Sequence, residues 1–280
     1  MNSPGDEKLN IMASKKITGY ILSYSKKVRD KVTEIAKAFL AMAGIQDIST
    51  NLFSCIDELI KNAIKANYKF ILINDHIHAL MKKNYPAKTD KELKREIADI
   101  ISIRESYDHI ANNIIAEEKI STQVREILNQ ESKLLAVRNR CYEEKRPCSN
   151  EEKKIIQKLT LINEMRKKIR ERNIKVILRI EANKKYIYIE VTNTAPILTK
   201  DLNRIYEKRK EYRSYKLEGR EQDFFINNLD TSESGFGLGY ATIDSFLFDW
   251  GLDPERAATI ISAIDTTVML TLPIEEIRKK

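Results

Sequence analysis

The apolar positions change period several times along the chain, and each change marks an element. Residues 17–23, Ile-Thr-Gly-Tyr-Ile-Leu-Ser, predict a short first strand, and residues 28–42 carry apolar side chains at helical spacing. Ser49, Thr50 and Asn51 then offer capping oxygens to a second helix. Its stripe of Leu52, Cys55, Ile56, Leu59, Ile60, Ala63 and Ile64 ends at about Asn67. From 68 to 172 the chain is dominated by Lys, Glu, Arg, Asn and Ile, which predicts a helical hairpin or small bundle. Its last helix spans 150–171 behind the start signal Ser149-Asn150-Glu151-Glu152. Period two then takes over in residues 176–181 and 186–191, on either side of Ala182-Asn183-Lys184, and predicts a β-hairpin. A polar segment at 198–233, a glycine cluster, a helix to about Trp250 and strands at 258–264 and 267–273 complete the pattern.

Composition narrows the class. With 42% hydrophobic residues in 280, the chain can bury a real core, and only eight glycines and six prolines favour long helices. The net charge of +8 comes from 49 basic against 41 acidic residues, a mixed surface that argues against nucleic acid as the partner. Basic runs at 166–172 and 204–216 are interspersed with glutamates and read as solvated helix faces. No apolar run approaches the roughly 20 residues that span a bilayer, and the first seven residues, Met-Asn-Ser-Pro-Gly-Asp-Glu, lack the features of a signal peptide. A cytoplasmic chain without a membrane partner is expected. Three cysteines, Cys55, Cys141 and Cys148, cannot all pair, and none sits in a CxxC spacing.

Two features carry chemistry. Glu58, Asn62 and Ala66 lie four residues apart on the second helix, so a carboxylate and an amide stack on one face. An isolated pair of this kind is most often a solvated face; it also offers a neutral hard oxygen for Mg²⁺ and a carboxylate able to orient or deprotonate a hydroxyl. Gly235, Gly237 and Gly239 are three of the eight glycines within five residues, just before an apolar helix, where backbone N–H groups can converge on a phosphate.

In this order (helix with Glu and Asn, hairpin, long charged segment, glycine turn, helix, two strands) the chain resembles the GHKL superfamily of histidine-kinase-like ATPases. Residues 58–66 resemble its N box, and 235–239 its G2 box. The resemblance covers about 14–67 and 173–275, leaving 68–172 as a helical insertion. It implies an α/β two-layer sandwich of Bergerat type, with a mixed, mostly antiparallel sheet and helices on one face. It also implies ATP and Mg²⁺ as cofactors: Glu58 as base, Asn62 as metal ligand, Lys65 and the three glycines on the phosphates, Asn193 at the adenine and Thr267 near it. Residues 198–234 correspond to the flexible ATP lid. One motif departs from the family. Its Asp-x-Gly-x-Gly aligns with Asn193-Thr194-Ala195-Pro196-Ile197, so the adenine partner loses its charge and Ala195 adds a methyl near the base.

The function implied is an ATPase or protein kinase in signalling with an unidentified acceptor. The alternative is a non-catalytic, pseudo-kinase interaction module that keeps the fold and binds a protein partner, or a second copy as a homodimer, through the insertion. His109-Ile110-Ala111-Asn112-Asn113 resembles one form of the phosphoacceptor H box, though it lies inside the insertion. His76 and His78 form a His-x-His without a third ligand nearby.

Overall fold

The computed structural model describes residues 15–228 and 238–280. Strand β1 (Lys15–Ile21) leads to helix α1 (Lys26–Ala43), which Gly44 ends in the left-handed conformation, φ 66°. Helix α2 (Ser49–Asn84) follows, then α3 (Asp90–Ser102), α4 (Arg104–Glu117), α5 (Ile120–Glu143), α6 (Asn150–Lys158) and α7 (Thr160–Glu171). The hairpin β2 (Val176–Ala182) and β3 (Tyr186–Asn193) turns on Asn183, whose Oδ1 accepts from the N–H groups of Lys185 and Tyr186, both at 2.8 Å. Beyond it come α8 (Thr199–Leu217), α9 (Glu221–Asn228), α10 (Leu238–Asp249), α11 (Pro254–Ala257), β4 (Ala258–Ser262), β5 (Thr266–Pro273) and α12 (Ile274–Arg278).

The five strands form one sheet in the order β1-β2-β3-β5-β4, and every pairing is antiparallel. The expectation of a mixed sheet is corrected on this point: β2–β3 and β4–β5 are tight hairpins, the excursion from β1 returns the chain as an antiparallel β2, and β5 rather than β4 lies beside β3. Alternation is regular. Val176, Leu178, Ile180, Ile187, Ile189, Val191, Val268, Leu270 and Leu272 bury their side chains in the core that the stripe of α2 completes. The other face carries polar pairs such as Arg179–Glu190 at 3.0 Å and Thr192–Thr267 at 2.7 Å.

Helix α2 is 36 residues long, about 54 Å. The stripe predicted to end at Asn67 continues through Tyr68, Ile71, Ile73 and Ile77, and carries the helix from the sheet into the insertion. Ile127, Leu134, Ile162, Met165 and Ile169 of the insertion share the sheet's core, and a second core gathers Ile73, Ile77, Ile97, Tyr107, Ile114 and Leu198. The Ile/Leu stripes expected to face a partner are thus largely buried within the chain. Exposed large apolar residues of this block, Leu80, Ile103 and Ile155 among them, are scattered.

The helix expected over 150–171 breaks at Leu159, whose side chain turns inward. Gln130 of α5 makes the break possible: its Oε1 accepts from the N–H groups of Leu161 and Ile162 at 3.1 and 3.3 Å, capping α7 from another helix. The segment aligned with a flexible lid is helical from 199 to 217 and from 221 to 228. Tyr212 and Phe224 are fully buried against Ala241, and the Arg209 guanidinium holds Asp244.

Candidate functional site

Because α2 is unbroken, Glu58, Asn62, Lys65 and Lys69 recur along one side of it at helical spacing. Asn62 Nδ2 donates to Glu58 Oε1 at 3.0 Å. The bond commits the amide nitrogen to the carboxylate and turns the amide oxygen, the atom an asparagine offers to a metal, away from it.

Gly239, in the first turn of α10, lies directly on this pair. A Cβ added there would sit 1.9 Å from Glu58 Oε1, 2.6 Å from Cδ and 2.8 Å from Cγ, so only glycine lets the start of α10 approach the carboxylate. Gly235 and Gly237 lie outside the described residues.

Beside the pair, a cavity of about 50 Å³ opens between α2, β3 and β5. Asn62, Ala63 and Ala66 line it from the helix, Asn193 and Thr266 from the sheet ends, Ile197 and Leu198 from the chain leading into α8, and Asp201 from its first turn. Asn193 is buried, and its Nδ2 donates to the Ala195 carbonyl at 2.9 Å; Thr266, its register partner on β5, donates to the same carbonyl at 2.8 Å. Thr267 is placed differently from the expectation. Period two sends it to the opposite face, bonded to Thr192, and its neighbour Thr266 lines the cavity.

Lys69 lines the cavity, and two further cations, Lys65 and Arg204, act on one another near it. Burial, followed by the charges of Lys69 and Arg204, pushes the Lys65 ammonium below its ordinary value, while Glu58 and Asp201 pull the other way. Lys69 pairs with Asp201 at 2.5 Å. An incoming anion would relieve this crowding of positive charge. Helical spacing from Asn62 and Lys65 could have revealed Lys69. Arg204 opens the basic run at 204–216 that reads as a solvated face, and nothing in the sequence marks Asp201 or Tyr107, which the fold brings from α8 and the insertion.

The histidines form no comparable site. His76 and His78 lie on α2, two residues apart and so on different sides of the helix, near Glu118 and Asp90 respectively. His109 is exposed on α4. Among the described residues no helix is long and apolar enough to cross a membrane. No protein-family model, curated protein or solved structure matches the chain.

Proposed function

We propose that the chain is a Mg²⁺–ATP-binding module of the histidine-kinase-like type, acting as an ATPase or protein kinase in signalling. One observation carries this reading: the hydrogen-bonded Glu58–Asn62 pair, packed against a glycine at a helix start, stands beside a cavity that Lys69 lines, with Lys65 one turn earlier on α2.

The donor set suits a metal-bound triphosphate. Asn62 would hold Mg²⁺ through its amide oxygen, and Lys65 and Lys69 with the start of α10 would hold phosphate oxygens. When bound, ATP supplies the phosphoryl group. Glu58 takes the proton of the attacking water or hydroxyl; its bond to Asn62 fixes the carboxylate's direction, and the lysines offset phosphate charge.

The base end fits less well. A cavity of about 50 Å³ is far below the roughly 300–1,000 Å³ of small-molecule pockets. Purine entry therefore requires Leu198 and Ile197, which lead into α8, to move. Leu198 also belongs to the core of the insertion, with Tyr107, and Asp108 of α4 accepts from the N–H of Thr199 at 3.1 Å. Opening the cavity is thereby tied to the insertion.

The narrow cavity, together with Asn193 in place of the family's aspartate, favours a second reading, the non-catalytic module that binds a protein partner. Incubation with γ-labelled ATP and Mg²⁺ separates the two. Label appearing as free phosphate or on the protein, and lost in Glu58→Gln, supports catalysis. Nucleotide binding without any turnover supports the second reading.

A further inference from the structure

The connection between α5 and α6 brings together two cysteines that their spacing in sequence does not connect. Helix α5 ends in a tight reversal: Lys145 adopts the left-handed conformation, φ 50°, its N–H donates to the Tyr142 carbonyl at 3.1 Å, and the Arg146 N–H donates to the Cys141 carbonyl at 3.0 Å. Pro147 then carries the chain back, and Cys148 Sγ comes to rest 2.7 Å from Cys141 Sγ. Ser149 and Glu152 form the capping box of α6 immediately afterwards. Both thiols therefore sit on a turn held by backbone bonds at each end.

Glu152 Oε2 is 3.6 Å from Cys141 Sγ, which makes a metal site the first alternative to weigh. The charges argue against it. The Arg146 guanidinium donates to both carboxylate oxygens of Glu152, at 2.7 and 2.9 Å, and the Ser149 N–H donates to Oε2 at 2.7 Å. The carboxylate is committed, a fixed cation already stands beside it, and two thiols are too few for a structural zinc centre.

We propose that Cys141 and Cys148 are a dithiol redox site, closing to an intramolecular disulfide on reaction with a small-molecule disulfide of the glutathione type. Cys148 is half-buried and Cys141 buried, so Cys148 meets the oxidant. Its thiolate attacks one sulfur of the small disulfide, breaking that S–S bond and releasing one thiolate, which takes up a proton. Cys141 then gives its proton to solvent and attacks the Cys148 sulfur of the mixed disulfide, releasing the second small thiol. The protein loses two electrons and two protons, and the small disulfide becomes two thiols. In the dithiol the Cys148 thiol beside it holds the Cys141 thiol above its ordinary value, and that cause is removed once Cys148 carries the mixed disulfide. The cross-link joins the end of α5 to the start of α6. Through Asn139 Oδ1, which accepts from the Lys26 N–H at 3.0 Å, and Glu143, which pairs with Lys26, the same end of α5 also holds the start of α1.

The test treats the reduced full chain with oxidised glutathione, then alkylates it after unfolding and weighs the intact protein. The expected product has lost about 2 Da, takes one alkyl group, on Cys55, and yields a peptide joining residues 141 and 148; Cys141→Ser instead keeps glutathione on Cys148. The oxidised chain should also melt several degrees higher than the reduced one, since the cross-link restricts the unfolded state. Alkylation of all three cysteines, or glutathione retained on native Cys148, would overturn the proposal. So would stoichiometric zinc held through dialysis and shielding both thiols.

Discussion

Substitution of Gly239 by alanine tests the close approach of α10 to Glu58. In a helix, alanine is favoured over glycine by about 1 kcal/mol, so an unobstructed site would gain stability. Here the new methyl would lie 1.9 Å from Glu58 Oε1, and the carboxylate must swing away. Leaving its rotamer costs about 0.5–1.5 kcal/mol. The hydrogen bond from Asn62, to a charged and half-buried acceptor, is worth about 1.5 kcal/mol. The net effect is a loss of about 1–2 kcal/mol, or a few degrees in melting midpoint for a chain of this size. Removing the obstacle reverses the sign: in a Glu58→Ala background, Gly239→Ala should stabilise by about 1 kcal/mol, a coupling of about 2–3 kcal/mol across the cycle. Chemical denaturation of the four proteins measures it. Additive changes, or stabilisation in the native background, would refute the contact.

Three further outcomes follow from buried groups. Arg209→Leu should cost about 3–5 kcal/mol in denaturant unfolding, because it leaves Asp244 and the Pro254 and Ala258 carbonyls buried without their cation, and Arg209→Leu/Asp244→Leu should recover much of it; a loss below about 1 kcal/mol contradicts this. Burial raises the Glu131 carboxyl above its ordinary value, so the folded chain holds that proton more tightly than the unfolded one. Its contribution is full below the unfolded value and is lost as pH rises through the folded one. Glu131→Gln, which keeps an acceptor for the Tyr68 hydroxyl, should therefore gain on the native protein as pH rises above the ordinary carboxylate range, and a difference that stays flat with pH would sink the prediction. Thr266→Val should weaken nucleotide binding and cost about 1 kcal/mol, whereas Thr267→Val, on the far face, should leave binding unchanged; equal effects on binding would place the wrong threonine in the cavity.

What could be read in the sequence follows its periodicities. The hairpin, the closing strands, the first helix and the start of the second stand close to where alternation and helical spacing put them, because each buries one face against one core. The line of Glu58 and Asn62 was legible for the same reason. Long-range geometry was not. The break at Leu159 depends on Gln130 from another helix, and the fate of the insertion's stripes depends on which helices cover them. Thr266 and Thr267 are adjacent, so choosing between them needs the register of β5 against β3. Cys141 and Cys148 meet through a left-handed lysine, a conformation that residue type alone does not announce.

The most direct test of the proposed nucleotide site is calorimetric titration of the native chain with a non-hydrolysable ATP analogue, with and without Mg²⁺, beside Asn62→Ala. Magnesium-dependent binding at one site, weakened about tenfold or more in the variant, is the predicted result. Absence of binding at millimolar analogue, or binding indifferent to both magnesium and Asn62, would contradict it.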